Sequence, residues 1–248
     1  GEMSEGQRGG ALLPYFIGVR NGDSEHLDMV REGNEHVINA RFADANFFVR
    51  EDVKKSLEEF RPELSGLTFQ TKLGSMLSKS DRMLKLGAEL CPLFGFTTTE
   101  TIKPFGRAVY LAKADLVTQM VTEMTSLQGI IGREYALRSG EDEVVATEIG
   151  EQYKTIPQSE IGVALALTDR LDSLVGLFSA GLAPTGTKDP FALRRAAIGV
   201  VQPLLEHDLD FDLNEAIAET AKLQPIEVSD GTRAKVLEFI EGRLRVVL

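Results

Sequence analysis

Apolar residues recur at three- and four-residue intervals through most of this chain, the spacing that gathers one stripe along a helix. The clearest run is 161–178, where Ile161, Ala164, Leu165, Leu167, Leu171, Leu174, Val175 and Phe178 share a broad face. The same period predicts helices over 53–60, 72–90, 107–124, 127–135, 143–153, 190–207, 213–223 and 231–247. The first of these is stopped near Pro62, which lacks the amide a continuing helix needs. The N-terminal part has a different texture. Residues 11–20 are rich in strand formers and end at an Asn21-Gly22 turn. Helical spacing then covers 24–48, interrupted at Gly33, with Asn34 placed to cap a second start. Phe47, Phe48 and Val49 read as a short strand returning to the first. Residues 1–10 read as a disordered lead or an expression remnant. The expected architecture is mainly α: a small α/β piece over 11–51, ending a preceding domain, then a helical domain over 52–248.

Composition narrows the chemistry. A single cysteine, Cys91, excludes a disulfide framework and a cysteine-rich zinc cluster. No run approaches the roughly 18 apolar residues of a membrane span, and a cytoplasmic location is the expectation. Lys and Arg number 27 against 38 Asp and Glu, a net charge of −11. That balance excludes a generally basic nucleic-acid coat, because phosphate binding rests on Lys and Arg. It leaves room for a local basic patch on an acidic body.

The turn over 184–195, PTGTKDPFALRR, is the most distinctive segment. It resembles a phosphate loop only superficially. In a P-loop the lysine follows the second glycine directly and a hydroxyl follows the lysine. Here Thr187 separates Gly186 from Lys188, and Asp189 takes the hydroxyl's place. Asp189 is placed instead to cap a helix opened by Pro190. On that helix Leu193, Ala197 and Val200 share an arc, Arg195 points away and Arg194 sits on the flank. Lys188, Arg194 and Arg195 then form an electropositive corner suited to an anion. The alternative is a capped turn whose arginines pair with carboxylates such as Glu206.

Three aspartates fall at or beside apolar faces. Asp115 shares the face of Ala108, Leu111 and Ala112, and Asp169 and Asp172 border the 161–178 stripe. An inward carboxylate requires a partner, since a buried unpaired charge is strongly unfavourable. Lys72, Lys79, Arg82, Lys113, Arg133 and Arg170 are the candidates. An internal salt-bridge network, a polynucleotide-facing cleft and a metal site all remain open on this pattern. Gly129 and Gly132, three apart in a helical run, allow close helix packing; alternatively Arg133 offers a phosphate contact and Tyr135 a stacking surface.

Five segments together resemble one family. They are 33–48 (GNEHVINARFADANFF), 69–75 (FQTKLGS), 113–118 (KADLVT), 127–133 (LQGIIGR) and 163–178 (VALALTDRLDSLVGLF) with the 184–196 turn that follows. The family is the beta subunit of bacterial heterotetrameric glycyl-tRNA synthetase, and the resemblance runs from about residue 11 to residue 248. It implies a piece of a long multidomain subunit that grips tRNA(Gly) and works with a separate alpha subunit. That alpha subunit would use ATP and Mg to form glycyl-adenylate, leaving no cofactor in this part.

The resemblance also implies that 52–248 is related to the HD phosphohydrolases, ending at 239–245 (FIEGRLR) at the junction to an anticodon-binding domain. Asp115 would stand in the His-Asp dyad position, and Asp169 or Asp172 in that of the later aspartate. No histidine occurs between residues 37 and 206. Imidazole ligands are therefore missing, and the expected domain is a degenerate HD scaffold with no metal and no catalytic residue. Its RNA-binding candidates are Lys188, Arg194, Arg195 and Arg133. A residual metal phosphohydrolase and a purely structural assembly domain are the alternatives.

Overall fold

The computed structural model of the protein describes residues 13–247, so the lead expected over 1–10 lies outside the described residues. The chain divides into two compact units, one ending at Phe47 and one beginning at Phe48. In the first, residues 13–26 have no regular secondary structure, and helix α1 (Leu27–Asp52) then begins. The strand expected over 11–20, with its return at 47–49, is not found among the described residues. Gly33 stands in open space within α1, where a glycine costs only about 1 kcal/mol relative to alanine. The helix therefore runs through it without a second start, and Phe47–Val49 continue the same helix.

The second unit is helical apart from one hairpin. Helix α2 (Leu57–Phe60) leads into a 3-10 turn (Arg61–Gly66) and then strands β1 (Thr68–Gln70) and β2 (Gly74–Ser75), which pair antiparallel. Gly74 has φ +88°, a conformation that favours glycine, and Ser75 accepts the amide of Ser78. These two devices start α3 at Met76 (Met76–Leu90), four residues later than the periodicity predicts. Helix α4 (Thr99–Leu111) follows.

The single helix expected over 107–124 is divided. A 3-10 turn (Ala114–Val117) separates α4 from α5 (Gln119–Glu123). Thr118 causes the restart: its hydroxyl donates to the carbonyl of Asp115 at 2.7 Å and accepts the amide of Val121 at 3.3 Å. Then come α6 (Ile130–Arg138), α7 (Glu143–Glu151), α8 (Glu160–Ser179), α9 (Leu193–Glu206), α10 (Leu213–Leu223) and α11 (Asp230–Val247).

Helix α8 is the axis of the core. Ser159 caps it by accepting the amide of Gly162 at 2.9 Å. It is apolar on most of its circumference, as a helix surrounded by others must be. Val163, Leu167, Leu171, Leu174 and Val175 are buried against Leu86, Leu90, Leu193, Val200, Ile217 and Ile240 from α3 and α9 to α11. Asp172 is fully buried in this core, and Asp169, one turn earlier, lies where the interior meets a surface groove.

Candidate nucleic-acid interface

The 184–195 turn is closed by its own backbone. Thr185 and Lys188 exchange amide-to-carbonyl hydrogen bonds of 3.1 and 2.9 Å around Gly186, whose φ is +52°. Asp189 then reaches forward, its carboxylate accepting the amides of Leu193 at 2.8 Å and Arg194 at 2.9 Å. The capping role expected of Asp189 holds. The start of the helix differs: α9 begins at Leu193, and Ala192 at φ +53° turns the chain into it, so Pro190 lies before the helix.

The basic residues of the corner divide into two kinds. Arg194 folds back, donating to the carbonyl of Gly186 at 2.5 Å and standing 3.8 Å from Asp189. It braces the turn. Lys188 and Arg195 are exposed and have no carboxylate within ion-pair distance among the described residues. Glu206, the sequence-level candidate partner, is not engaged by either arginine.

Arg195 lies on the rim of a groove of about 240 Å³. Phe69, Tyr153 and Phe191 supply its aromatic walls, with Asp169 and Arg170 among its polar lining. Arg170 is tied to the backbone by donating to the carbonyls of Gly199 at 2.5 Å and Lys154. The groove is smaller than the roughly 300–1,000 Å³ of most small-molecule sites. It has room for one ring system against an aromatic wall.

Beneath the groove lies a buried ionic network. Lys113 Nζ donates to Asp169 Oδ2 at 2.7 Å, Gln152 Oε1 at 2.8 Å and Tyr153 Oη at 3.3 Å, which uses all three of its protons. Lys79 Nζ stands 2.9 Å from both Asp169 Oδ1 and Asp172 Oδ2. Arg82 Nε donates to Asp172 Oδ1 at 2.8 Å, and Gln224 adds a bond of 3.1 Å to the same oxygen. Burial opposes the charge on Asp169, but Lys113 and Lys79 outweigh it and hold the carboxyl well below the ordinary range. Asp172 is likewise opposed by burial and lowered by Lys79 and Arg82. Tyr153 is pushed well up by burial and by the negative charges of Asp115 and Asp169.

Asp115 takes a different part. It is fully buried in the 3-10 turn, and its Oδ2 accepts the amide of Gly129 at 2.6 Å, where α6 begins. Its Oδ1 has no hydrogen-bond partner among the described residues, and burial pushes its carboxyl up. The partner that the sequence required for Asp115 is thus a backbone amide in the first place, with Lys113 as the nearby charge.

This arrangement does not fit a divalent metal. Asp169 and Asp172 are committed to three internal cations, Lys79, Arg82 and Lys113, so a further cation would enter a site already carrying positive surplus. Among the described residues no group of three or more His, Cys, Asp and Glu side chains is disposed to hold a metal.

Arg133 stands apart from the corner. Its stem packs over Gly150 of α7 and its guanidinium lies 3.6 Å from Glu134. Tyr135 offers no stacking surface: it is buried, and its hydroxyl donates to Asp52 at 3.0 Å. The glycine pair serves packing, since a Cβ on Gly132 would stand 2.7 Å from Ile149. Lys113, Lys79 and Arg82 are among the partners the sequence offered for the inward aspartates, whereas Gln152 and Tyr153 were not identified from sequence. These two lie 39 and 40 residues from Lys113, and no periodicity encodes such pairing.

The sequence is similar to those of known proteins over nearly its whole length. The family model described as glycyl-tRNA synthetase beta subunit matches residues 3–248. The glycine–tRNA ligase beta subunit of Desulforudis audaxviator is 44% identical over 248 residues, covering 96% of this chain and 36% of that protein. The Pseudomonas fluorescens (strain Pf-5) beta subunit is 44% identical over 243 residues, covering 95% and 35%. A chloroplastic/mitochondrial glycine–tRNA ligase of Arabidopsis thaliana is 43% identical over 246 residues, covering 96% and 23%. The chain spans about a third of the length of the bacterial relatives.

Proposed function

We propose a role in tRNA binding from one premise: the chain belongs to the glycyl-tRNA synthetase beta subunit family, whose model it matches over residues 3–248. In this reading it is a non-catalytic, RNA-gripping part of a glycine–tRNA ligase acting in the cytoplasm. A partner alpha subunit forms glycyl-adenylate with ATP and Mg, and the assembled heterotetramer charges tRNA(Gly). The helical unit serves as a degenerate HD-type scaffold.

The observation that carries the reading is the placement of free cations around an aromatic groove. Lys188 and Arg195 are exposed without carboxylate partners among the described residues, and Arg195 lines the groove together with Phe191 and Tyr153. Exposed cations bind phosphates, and aromatic rings accept unpaired bases by stacking. The buried network adds support, because its three cations face two committed carboxylates and leave the groove floor favourable to an anion. Phosphohydrolase chemistry lacks comparable support, since the same carboxylates are neutralised from within.

The experiment is equilibrium binding of tRNA(Gly) to the assembled full-length enzyme carrying Lys188→Ala, Arg195→Ala or both. Each change should weaken binding by about tenfold, the worth of one hydrogen bond to a charged group. Arg194→Ala should act through loosening of the turn and weaken binding less. Unchanged affinity in the double variant would sink the proposal.

A further inference from the structure

We infer that helix α11 carries a second RNA-backbone contact, formed by Lys235 and Arg243 in a groove beside Pro184 that is separate from the Arg195 groove. The inference rests on the tRNA-binding reading above and extends it to a surface that reading does not use.

Lys235, Phe239 and Arg243 recur at four-residue intervals and so share one face of α11. That face borders a groove of about 330 Å³ whose other wall is Phe178, Ala183 and Pro184. Phe178 and Phe239 pack with ring centroids 5.2 Å apart, which fixes the groove's floor. The Arg243 guanidinium stands 5.4 Å from the centroid of the Phe239 ring, an arrangement that orients the cation without neutralising it.

Two observations mark this face as suited to an anion. Neither Lys235 nor Arg243 has a carboxylate within ion-pair distance among the described residues, whereas Arg233 on the same helix is paired with Asp230. Pro184 opens the turn that presents Lys188, and the same turn ends in Phe191 and Arg195 on the other groove. Two grooves, each with aromatic walls and a cation unpaired among the described residues, therefore adjoin the two ends of one turn. A single phosphate would need only one of them. A polyanionic strand crossing the turn would use both.

Glu238 also lines the α11 groove and opposes an anion there. Its presence gives the inference a signed test. The measurement is the salt dependence of tRNA(Gly) binding to the assembled full-length enzyme, in which each lost phosphate contact lowers the slope of log K against log salt by about 0.7 to 0.9. Lys235→Gln with Arg243→Gln should lower the slope by about 1.4 to 1.8 and weaken binding at fixed salt by tenfold or more. Glu238→Gln should tighten binding two- to threefold.

An unchanged slope in the α11 double variant, with a lowered slope in Lys188→Ala/Arg195→Ala, overturns the inference and leaves the tRNA-binding reading standing. Unchanged slopes in both sets overturn the two together. Should the α11 double variant lose its helical circular dichroism, the Glu238→Gln result decides: tightening supports the contact, and unchanged or weaker binding overturns it.

Discussion

Lys113 closes on Asp169 at 2.7 Å, joining the segment after α4 to the middle of α8 across 56 residues of sequence. The ammonium has no proton left to offer a ligand, because Gln152 and Tyr153 take the other two. Interior cations thus hold the scaffold together, and the cations left for a partner are those outside the network, Lys188 and Arg195 at the 184–195 turn among them.

Asp172→Asn removes the negative charge between Lys79 and Arg82. Breaking one member of a buried ion pair leaves an uncompensated charge and costs about 3 to 5 kcal/mol. Urea unfolding should show a loss of that size. A loss below about 1 kcal/mol would mean that the network is not the internal clamp described above.

The same carboxylates set the response to pH. Asp169 and Asp172 have folded values below the ordinary range, so their contribution is fully present above about pH 4 and is lost as pH falls through those lowered values. Asp115 has the opposite sign: burial raises it, and the stability of its neutral form is lost as pH rises through its folded value. Unfolding free energies measured from about pH 3 to pH 8 should show Asp172→Asn flattening the acid limb and Asp115→Asn flattening the limb above pH 4. Identical profiles in all three proteins would contradict the assignment.

Asp189→Ala deprives the first two amides of α9 of their acceptor. The expected cost is about 1 to 2 kcal/mol, since a cap serving two amides lies at the upper end of the usual range. It should also weaken tRNA binding although it removes no cation, because Arg194 loses its counter-charge and the turn its closure. Hydrogen exchange of the Leu193 and Arg194 amides is the direct check, with faster exchange expected in the variant.

Two glycine substitutions should have opposite signs. A methyl on Gly132 meets Ile149 at 2.7 Å and Asp115 at 3.0 Å in the packed α6–α7 contact, a strain of about 1 to 3 kcal/mol. A Cβ on Gly33 would meet nothing within 4 Å among the described residues beyond its own helix backbone, and alanine there should stabilise α1 by up to about 1 kcal/mol. Local helicity and thermal melting read both effects.

Long periodic helices were legible from sequence. The 161–178, 213–223 and 231–247 patterns correspond to α8, α10 and α11 within one residue at either end. Where the reading failed, a local device outcompeted the period: the Thr118 hydroxyl restarts a helix, Gly74 and Ser75 delay α3, and Ala192 delays α9. The strand expected at 47–49 failed because β-rich triplets do not override a helix already under way. For the site, the capping role of Asp189 was readable from spacing alone. The difference between Arg194 and Arg195 was not, because it depends on the fold-back of one side chain onto Gly186. Lys113 was legible as a candidate partner of the inward aspartates, and an internal salt-bridge network as one reading of them; that Lys113 meets Asp169 and not Asp115 depends on the fold.

The central proposal is that this chain supplies contact with tRNA and not chemistry. The most direct test is steady-state charging of tRNA(Gly) by the assembled enzyme carrying Lys188→Ala/Arg195→Ala, alongside its glycine-dependent ATP–pyrophosphate exchange without tRNA. The KM for tRNA should rise by tenfold or more while the exchange rate stays unchanged. A fall in the exchange rate, or an unmoved KM, would contradict the account.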